Sequence, residues 1–180
     1  MGPFSAHMIV HMGIVAVAAP LLALAVAGAP FDPVARAPRL FAPIPVSLGE
    51  LMVVWLWHTP AFHHAARHSV VVSWGEQGSF LLAGFWLWLA AFGGEPSSRG
   101  IGGVIALLLT SMHMTLLGAL FALAPRPLFE SGILEASASL TDQHWGGAIM
   151  LLLGGLAYLA GGLWLTGALL GRRHQPTLGV

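Results

Sequence analysis

The side chains able to hold a soft ion fall in a few short runs. His7-Met8-Ile9-Val10-His11-Met12 carries two imidazoles and two thioethers within six residues. Helical residues four apart share a face, so His7 and His11 would stand one turn apart, with Met8 and Met12 in the neighbouring row. Met112-His113-Met114 repeats the combination, although consecutive helical residues point about 100° apart and not all three can face one ion. His58 sits inside an apolar run, His63, His64 and His68 follow it around Arg67, and His144 opens another apolar run. With no cysteine in the chain, a metal can be held only by His, Met, Asp or Glu. Imidazole with thioether suits copper, Cu(I) above all, better than magnesium or calcium, which take oxygen ligands; imidazole also suits zinc. Two carboxylates stand near these runs. Glu76 follows Ser73 at capping-box spacing, and Asp142 precedes the last apolar run as an N-cap would, yet either can also join a metal site.

The elements that would position these groups are membrane helices. The 180 residues are 57% hydrophobic and 8% charged, with a mean hydropathy of +0.81, and a water-soluble fold cannot cover so much apolar surface. Seven arginines, no lysine and seven acids leave no basic face, which excludes nucleic-acid binding. A helix crosses the roughly 30 Å hydrocarbon core with about 20 residues. The chain offers about five such stretches: Phe4 to Ala29, Val46 to Ala66, Ser73 to Gly93, Ile101 to Ala124 and Trp145 to Leu170. The expected fold is therefore all-α, an integral membrane helical bundle of about five spans forming one domain over residues 1–180. Ala27-Gly28-Ala29 resembles a cleavage site, but no basic residue precedes the first run and the run is long, so a retained helix is expected.

Five spans put Arg36, Arg39, Arg99, Arg172 and Arg173 on one side and Arg67 and Arg126 on the other. The positive-inside rule then places the N-terminus outside a plasma (inner) membrane crossed several times. Trp74 and Trp145 begin outer helix ends, and Trp88 and Trp164 approach the inner interface. Residues Leu128 to Leu140 suit a short surface helix. Gly147, Gly154 and Gly161 recur every seven residues and suit close helix packing. On this topology every histidine but His174 lies toward the outer side. Counting 1.5 Å per residue from the assumed ends sets His11, His58 and His113 all roughly 10 to 12 Å below the outer surface. Three helices would then present imidazole at one level, where ionisable groups are costly and usually functional. Glu50 lies toward the inner side, near the interface or paired with an arginine.

Several blocks together resemble the CtaG family of cytochrome oxidase assembly factors. They are His7-Met8-x-x-His11-Met12 with Ala19-Pro20-Leu21-Leu22, Trp55-x-Trp57-His58-x-Pro60, Glu76-x-x-Ser79-Phe80-Leu81, Leu116-Leu117-Gly118-Ala119 with Ala124-Pro125-Arg126-Pro127-Leu128, and Asp142-Gln143-x-x-Gly146-Gly147. The resemblance implies a multi-spanning membrane protein that handles copper for a heme-copper oxidase, with His7, His11, His58, Glu76 and Asp142 as the matching functional positions. Val10, Gln77 and His144 depart from the family's pattern, and the chain is one or two spans shorter than longer members.

The expected function is that of a carrier, not an enzyme. It would hold Cu(I) near the outer face through a set drawn from His7, Met8, His11, Met12, His58, Met112, His113, His144, Glu76 and Asp142. A periplasmic copper donor would load it, and heme-copper oxidase subunits would receive the ion. Few, soft ligands suit reversible transfer. Two rivals remain: a membrane cytochrome with His11, His58 or His113 as axial heme ligands, and a metal-free scaffold subunit that packs through its glycine stripe.

Overall fold

The computed structural model describes residues 1–94, 96–129 and 136–173, and the side chains within them except those of 96–99, 136–137 and 172–173. His174 lies outside the described residues, as does the centre of the proposed surface helix, residues 130–135. All regular structure among the described residues is helical. Six helices follow in order: α1 (Pro3–Val26), α2 (Pro43–Trp57), α3 (Pro60–His68), α4 (Val70–Phe92), α5 (Pro96–Leu123) and α6 (Ala136–Arg173). Three helical stretches, Pro3–Val26, Gly100–Leu123 and Ala138–Gly171, are long and apolar enough to cross a membrane. α2 is apolar but shorter, and α4 has 23 residues with Ser73, Glu76, Gln77 and Ser79 in its first half.

The five longer helices close into a ring in the order α1, α4, α2, α5, α6, with α4 also touching α5 across it. Small residues allow the closest approaches. A Cβ on Gly147 would meet the Ala122 backbone and the Gly118 carbonyl, so α5 and α6 lie nearly backbone to backbone there, and Gly154 and Gly161 on the same stripe face Met12 and Trp88. Large apolar side chains divide between two places. Phe80, Leu87, Trp88, Leu107 and Phe121 are buried inside, while Leu21, Leu82, Leu108, Leu152 and Leu163 point outward, the distribution expected where the surroundings are lipid rather than water.

Two proline effects shape the elements around the site. In α1, residues Ile14–Ala18 open into a π-turn, with the Ala19 amide bonding the Ile14 carbonyl. The next donor in that register would be residue 20, and Pro20 has no N–H. Val15's carbonyl instead accepts from the Trp88 indole at 2.8 Å. Trp88 is thus a buried strut between α4 and α1, not the interfacial anchor expected from its position in the sequence. The second effect is at Pro60. It forces Thr59 to an extended ψ of 148° and divides the expected second span, so α2 stops at Trp57 and α3 sets off as a separate amphipathic helix.

Asp32 ties the loops at the opposite end of the ring from His7. Its carboxylate accepts the amides of Gly28 (2.9 Å), Val34 (2.9 Å) and Gly94 (2.8 Å). Gly28 and Gly94 both have positive φ, 76° and 75°, a conformation that favours residues without Cβ.

Candidate metal centre

Four imidazoles from three elements meet at the end of the ring where α1 begins. α1 supplies His7 and His11 on one face, one turn apart and nearly parallel. His58 caps the C-terminus of α2, where the Pro60 break leaves the chain free to turn, and its Nδ1 contacts the Val54 carbonyl at 2.6 Å. His63 comes from α3, whose inner face is His63 and Ala66. Ring centres stand 5.2 Å apart for His11 and His58, 5.4 Å for His7 and His63, 5.9 Å for His7 and His58, and 6.4 Å for His7 and His11. An ion about 2.0–2.1 Å from a ring nitrogen lies about 3 Å from the ring centre, so two rings on one ion stand about 5 to 6 Å apart. Three of the four spacings fall at that separation, and His7 and His11 stand slightly beyond it.

A carboxylate completes the group. Glu76 Oε1 lies 3.7 Å from His7 Nε2, and one donor atom each from His7, His63 and Glu76 lie within 4.8 Å of one another. The α4 N-cap is Ser69, whose hydroxyl accepts from the Val72 amide at 3.4 Å. Glu76 therefore does not close a capping box with Ser73; it is a second-turn residue turned inward, buried at 2% exposure. Gln77 donates to its other oxygen at 3.3 Å.

The nitrogens of this cluster are buried and unbonded. His7 Nε2, both nitrogens of His11, His58 Nε2 and both nitrogens of His63 have no hydrogen-bond partner, nor has Glu76 Oε1. Buried polar atoms are almost always satisfied in folded proteins, because an unmet group keeps its desolvation cost without compensation. Each of the four imidazoles thus keeps at least one buried nitrogen without a partner, and together they form a set of unused donors. Phe4, Phe80, Phe121 and Phe129 pack around the rings, Phe80 coming within 4.1 Å of the His11 ring centre. A cavity of about 300 Å³ lined by Pro3, His7, His63, Ala66, Arg67, Ser73 and Glu76 opens onto the cluster. On α3, outside the membrane-spanning helices, burial foremost, then His7, Arg67 and His64, pushes the His63 imidazole down to about 4. It is neutral near pH 7, with a lone pair free. His64 and His68 face outward from α3, their ring centres 4.2 Å apart.

The remaining expected residues are placed elsewhere. His113 faces Glu50, with Nε2 to Oε2 at 4.0 Å, two turns along α5 from the Phe121 that contacts His58. The shared level inferred for His11, His58 and His113 therefore does not hold: α5 ends close to where it was expected, but α2 stops at Trp57, so His58 stands at a helix end while His113 lies inside α5. Glu50 is fully buried in the ring rather than near an interface or an arginine. Met112 points outward at 69% exposure. Met8 and Met12 are buried, but they turn toward α6, where they pack at Gly146 and Gly154.

α6 starts at Ala136, so Asp142 and His144 lie within it instead of opening it. Asp142 caps a different helix, accepting the Gly2 and Phe4 amides at 2.7 Å each and the Ser5 hydroxyl and amide. His144 Nε2 contacts the Ala124 carbonyl at 2.9 Å, past the last turn of α5. Beside it Gln143 accepts from the Leu128 amide at 2.8 Å and donates to the Phe121 carbonyl. The sequence signal that marks His63 as an inward residue is the Pro60 break, after which His63 and Ala66 fall on one face of a short amphipathic helix.

A family model for cytochrome c oxidase caa3 assembly factors matches residues 1–171. No curated protein and no solved structure matches the chain.

Proposed function

Because the chain belongs to the family of cytochrome c oxidase caa3 assembly factors, we propose that it carries Cu(I) for a heme-copper oxidase, binding the ion among His7, His11, His58, His63 and Glu76. The observation that carries this reading is the cluster of four imidazoles with unbonded nitrogens, two of them, His7 and His63, beside the Glu76 carboxylate. Nitrogen donors with one oxygen suit copper or zinc, and the family's work on an oxidase selects copper. The thioethers of Met8 and Met12 line the helix contact behind the site and are not ligands in this reading.

Transfer follows from the site's one-sided build. His7, His63 and Glu76 border the cavity, while His11 and His58 stand behind them against Phe80 and Phe121. An arriving ion meets His7, His63 and Glu76 first, and exchanging one of those ligands for a partner's releases it along the same route. Arg67 and Glu76 both line the cavity. The exposed His64 and His68 pair supplies a capture point above the cavity. The heme alternative needs an open slot beside His11 and His58, and Phe80 and Phe121 fill that space.

The same reading has α1, α2, α4, α5 and α6 crossing a plasma membrane, α3 lying at its outer face, and the N-terminus outside, where a periplasmic copper donor can reach the cavity. Arginines divide five against two across that arrangement. In this cysteine-free chain, single cysteines at the exposed Ala6 and at Ser98 should label from opposite sides of the membrane; labelling from one side refutes the arrangement. For the metal itself, detergent-purified protein titrated anaerobically with Cu(I) against a chromophoric chelator should bind close to one equivalent without a Soret band. No competition with the chelator would leave the metal-free scaffold, and a Soret band that shifts on reduction would establish the cytochrome.

A further inference from the structure

A second unsatisfied polar group lies deeper in the ring, and the carrier reading makes no use of it. Glu50 is eight residues before His58 on α2, and His113 is eight before Phe121 on α5, so both lie about 12 Å further along their helices than the outer cluster. Val54 and Leu117, both buried, occupy the intervening turn and separate the two layers with apolar side chains. Glu50 has 0% exposure and meets groups from two other helices. Its Oε1 accepts from the Tyr158 hydroxyl of α6 at 3.1 Å. Its Oε2 faces His113 Nε2 across 4.0 Å with no hydrogen bond between them, while the Ser47 backbone lies beside the His113 ring and the Thr110 hydroxyl beside the carboxyl. One turn back on each helix, the Thr110 and Ser47 hydroxyls join at 3.2 Å.

The separation decides what the pair is built for. A gap of 4.0 Å is too long for a hydrogen bond. It matches the roughly 4.0–4.3 Å spanned by a metal–nitrogen and a metal–carboxylate bond end to end, and a bent tetrahedral site needs only roughly half an ångström of approach. A carboxyl in an apolar interior takes either a proton or a counter-charge, and Tyr158 orients it without supplying either. We propose that Glu50 and His113 form a second metal position, independent of the outer cluster, that takes a divalent first-row ion of the zinc or Cu(II) class through Glu50 Oε2 and His113 Nε2. Tyr158 is a positioning residue that holds the carboxylate by its other oxygen. The donors are harder than those of the outer cluster, one carboxylate and one imidazole with hydroxyls nearby, and this favours a divalent ion over Cu(I).

Cobalt(II) is a suitable probe, because its visible absorption reports the ligands directly. The full chain carrying His7→Ala, His11→Ala and His63→Ala together should still bind close to one equivalent of Co(II), with a visible band that zinc abolishes. Adding Glu50→Gln, which preserves shape, or His113→Ala should weaken Co(II) binding at least tenfold, with the helical circular-dichroism spectrum and the elution profile unchanged. Tyr158→Phe should keep the band but shift it. The proposal fails if the triple variant binds no Co(II), or if Glu50→Gln and His113→Ala both leave the band as it was; the pair would then share only a proton. Because the outer cluster is already disabled in this series, its result is separate from the Cu(I) titration of the parent chain.

Discussion

Around Asp142 both carboxylate oxygens are engaged, by the Gly2 and Phe4 amides and by Ser5, whereas two turns along the same α1 helix His11 keeps both ring nitrogens without a partner. Both side chains are buried polar groups at one end of an apolar bundle, and both were candidates for one metal site. Their difference lies in what the surrounding helices bring to them. The first turn of α1 has four amides with no intrahelical acceptor, and Pro3 at its start removes only one of them. Asp142 satisfies the others from 137 to 140 residues away and places a negative charge at the positive end of the helix. No element offers His11 anything comparable. In a low-dielectric interior a satisfied carboxylate fastens one helix to another, while unsatisfied imidazoles represent donor capacity held for something that arrives later.

The largest expected effect breaks the satisfied side of that comparison. Asp142→Ala removes several hydrogen bonds to a charged acceptor and strands buried amides, each loss costing about 1.5–3 kcal/mol in isolation. After relaxation we expect a net destabilisation of about 3 kcal/mol, with Asp142→Asn losing roughly half of that. Unfolding in mixed detergent, followed by helical circular dichroism, measures both. An Asp142→Ala variant as stable as the parent would mean that water takes over these amides and that α1 is held by packing alone.

The helices were readable from the apolar runs because length and hydropathy act locally, and the runs around 101–124 and 145–170 fall on α5 and α6. Contacts between distant residues were not readable. Nothing local to Asp142 says that it caps Gly2 and Phe4, since its own neighbours make an equally good N-cap pattern. The apolar run through Phe62 hid the Pro60 break, and with it the turn that swings His63 inward. The facing of His7 and His11 followed from four-residue spacing, which holds whatever packs on the helix. The level of His113 did not follow, because the Pro60 break puts His58 at the end of α2 while His113 stays in the body of α5, where it meets Glu50 of α2.

The unsatisfied side is sharpened by a pair of neighbours on α1. His11 and Met12 are adjacent and both fully buried, and residue type alone makes either a copper ligand. The helix turns them about 100° apart. His11 faces His58 and Phe80, while Met12 packs at Gly154 of α6. His11→Ala should therefore weaken Cu(I) binding at least tenfold, about 1.4 kcal/mol or more. It should leave the fold intact, since it removes two unbonded nitrogens along with its packing. Met12→Leu keeps the volume and removes the sulfur, so Cu(I) affinity should change less than about twofold, with stability within about 1.5 kcal/mol of the parent. Competition titrations of the two variants side by side separate a ligand from a filler on one helix turn. Equal losses in both would bring the thioether into the coordination sphere and require α1 to rotate on loading. If neither variant lost affinity, copper would have to bind away from this cluster, and the orphaned imidazoles would need another ligand.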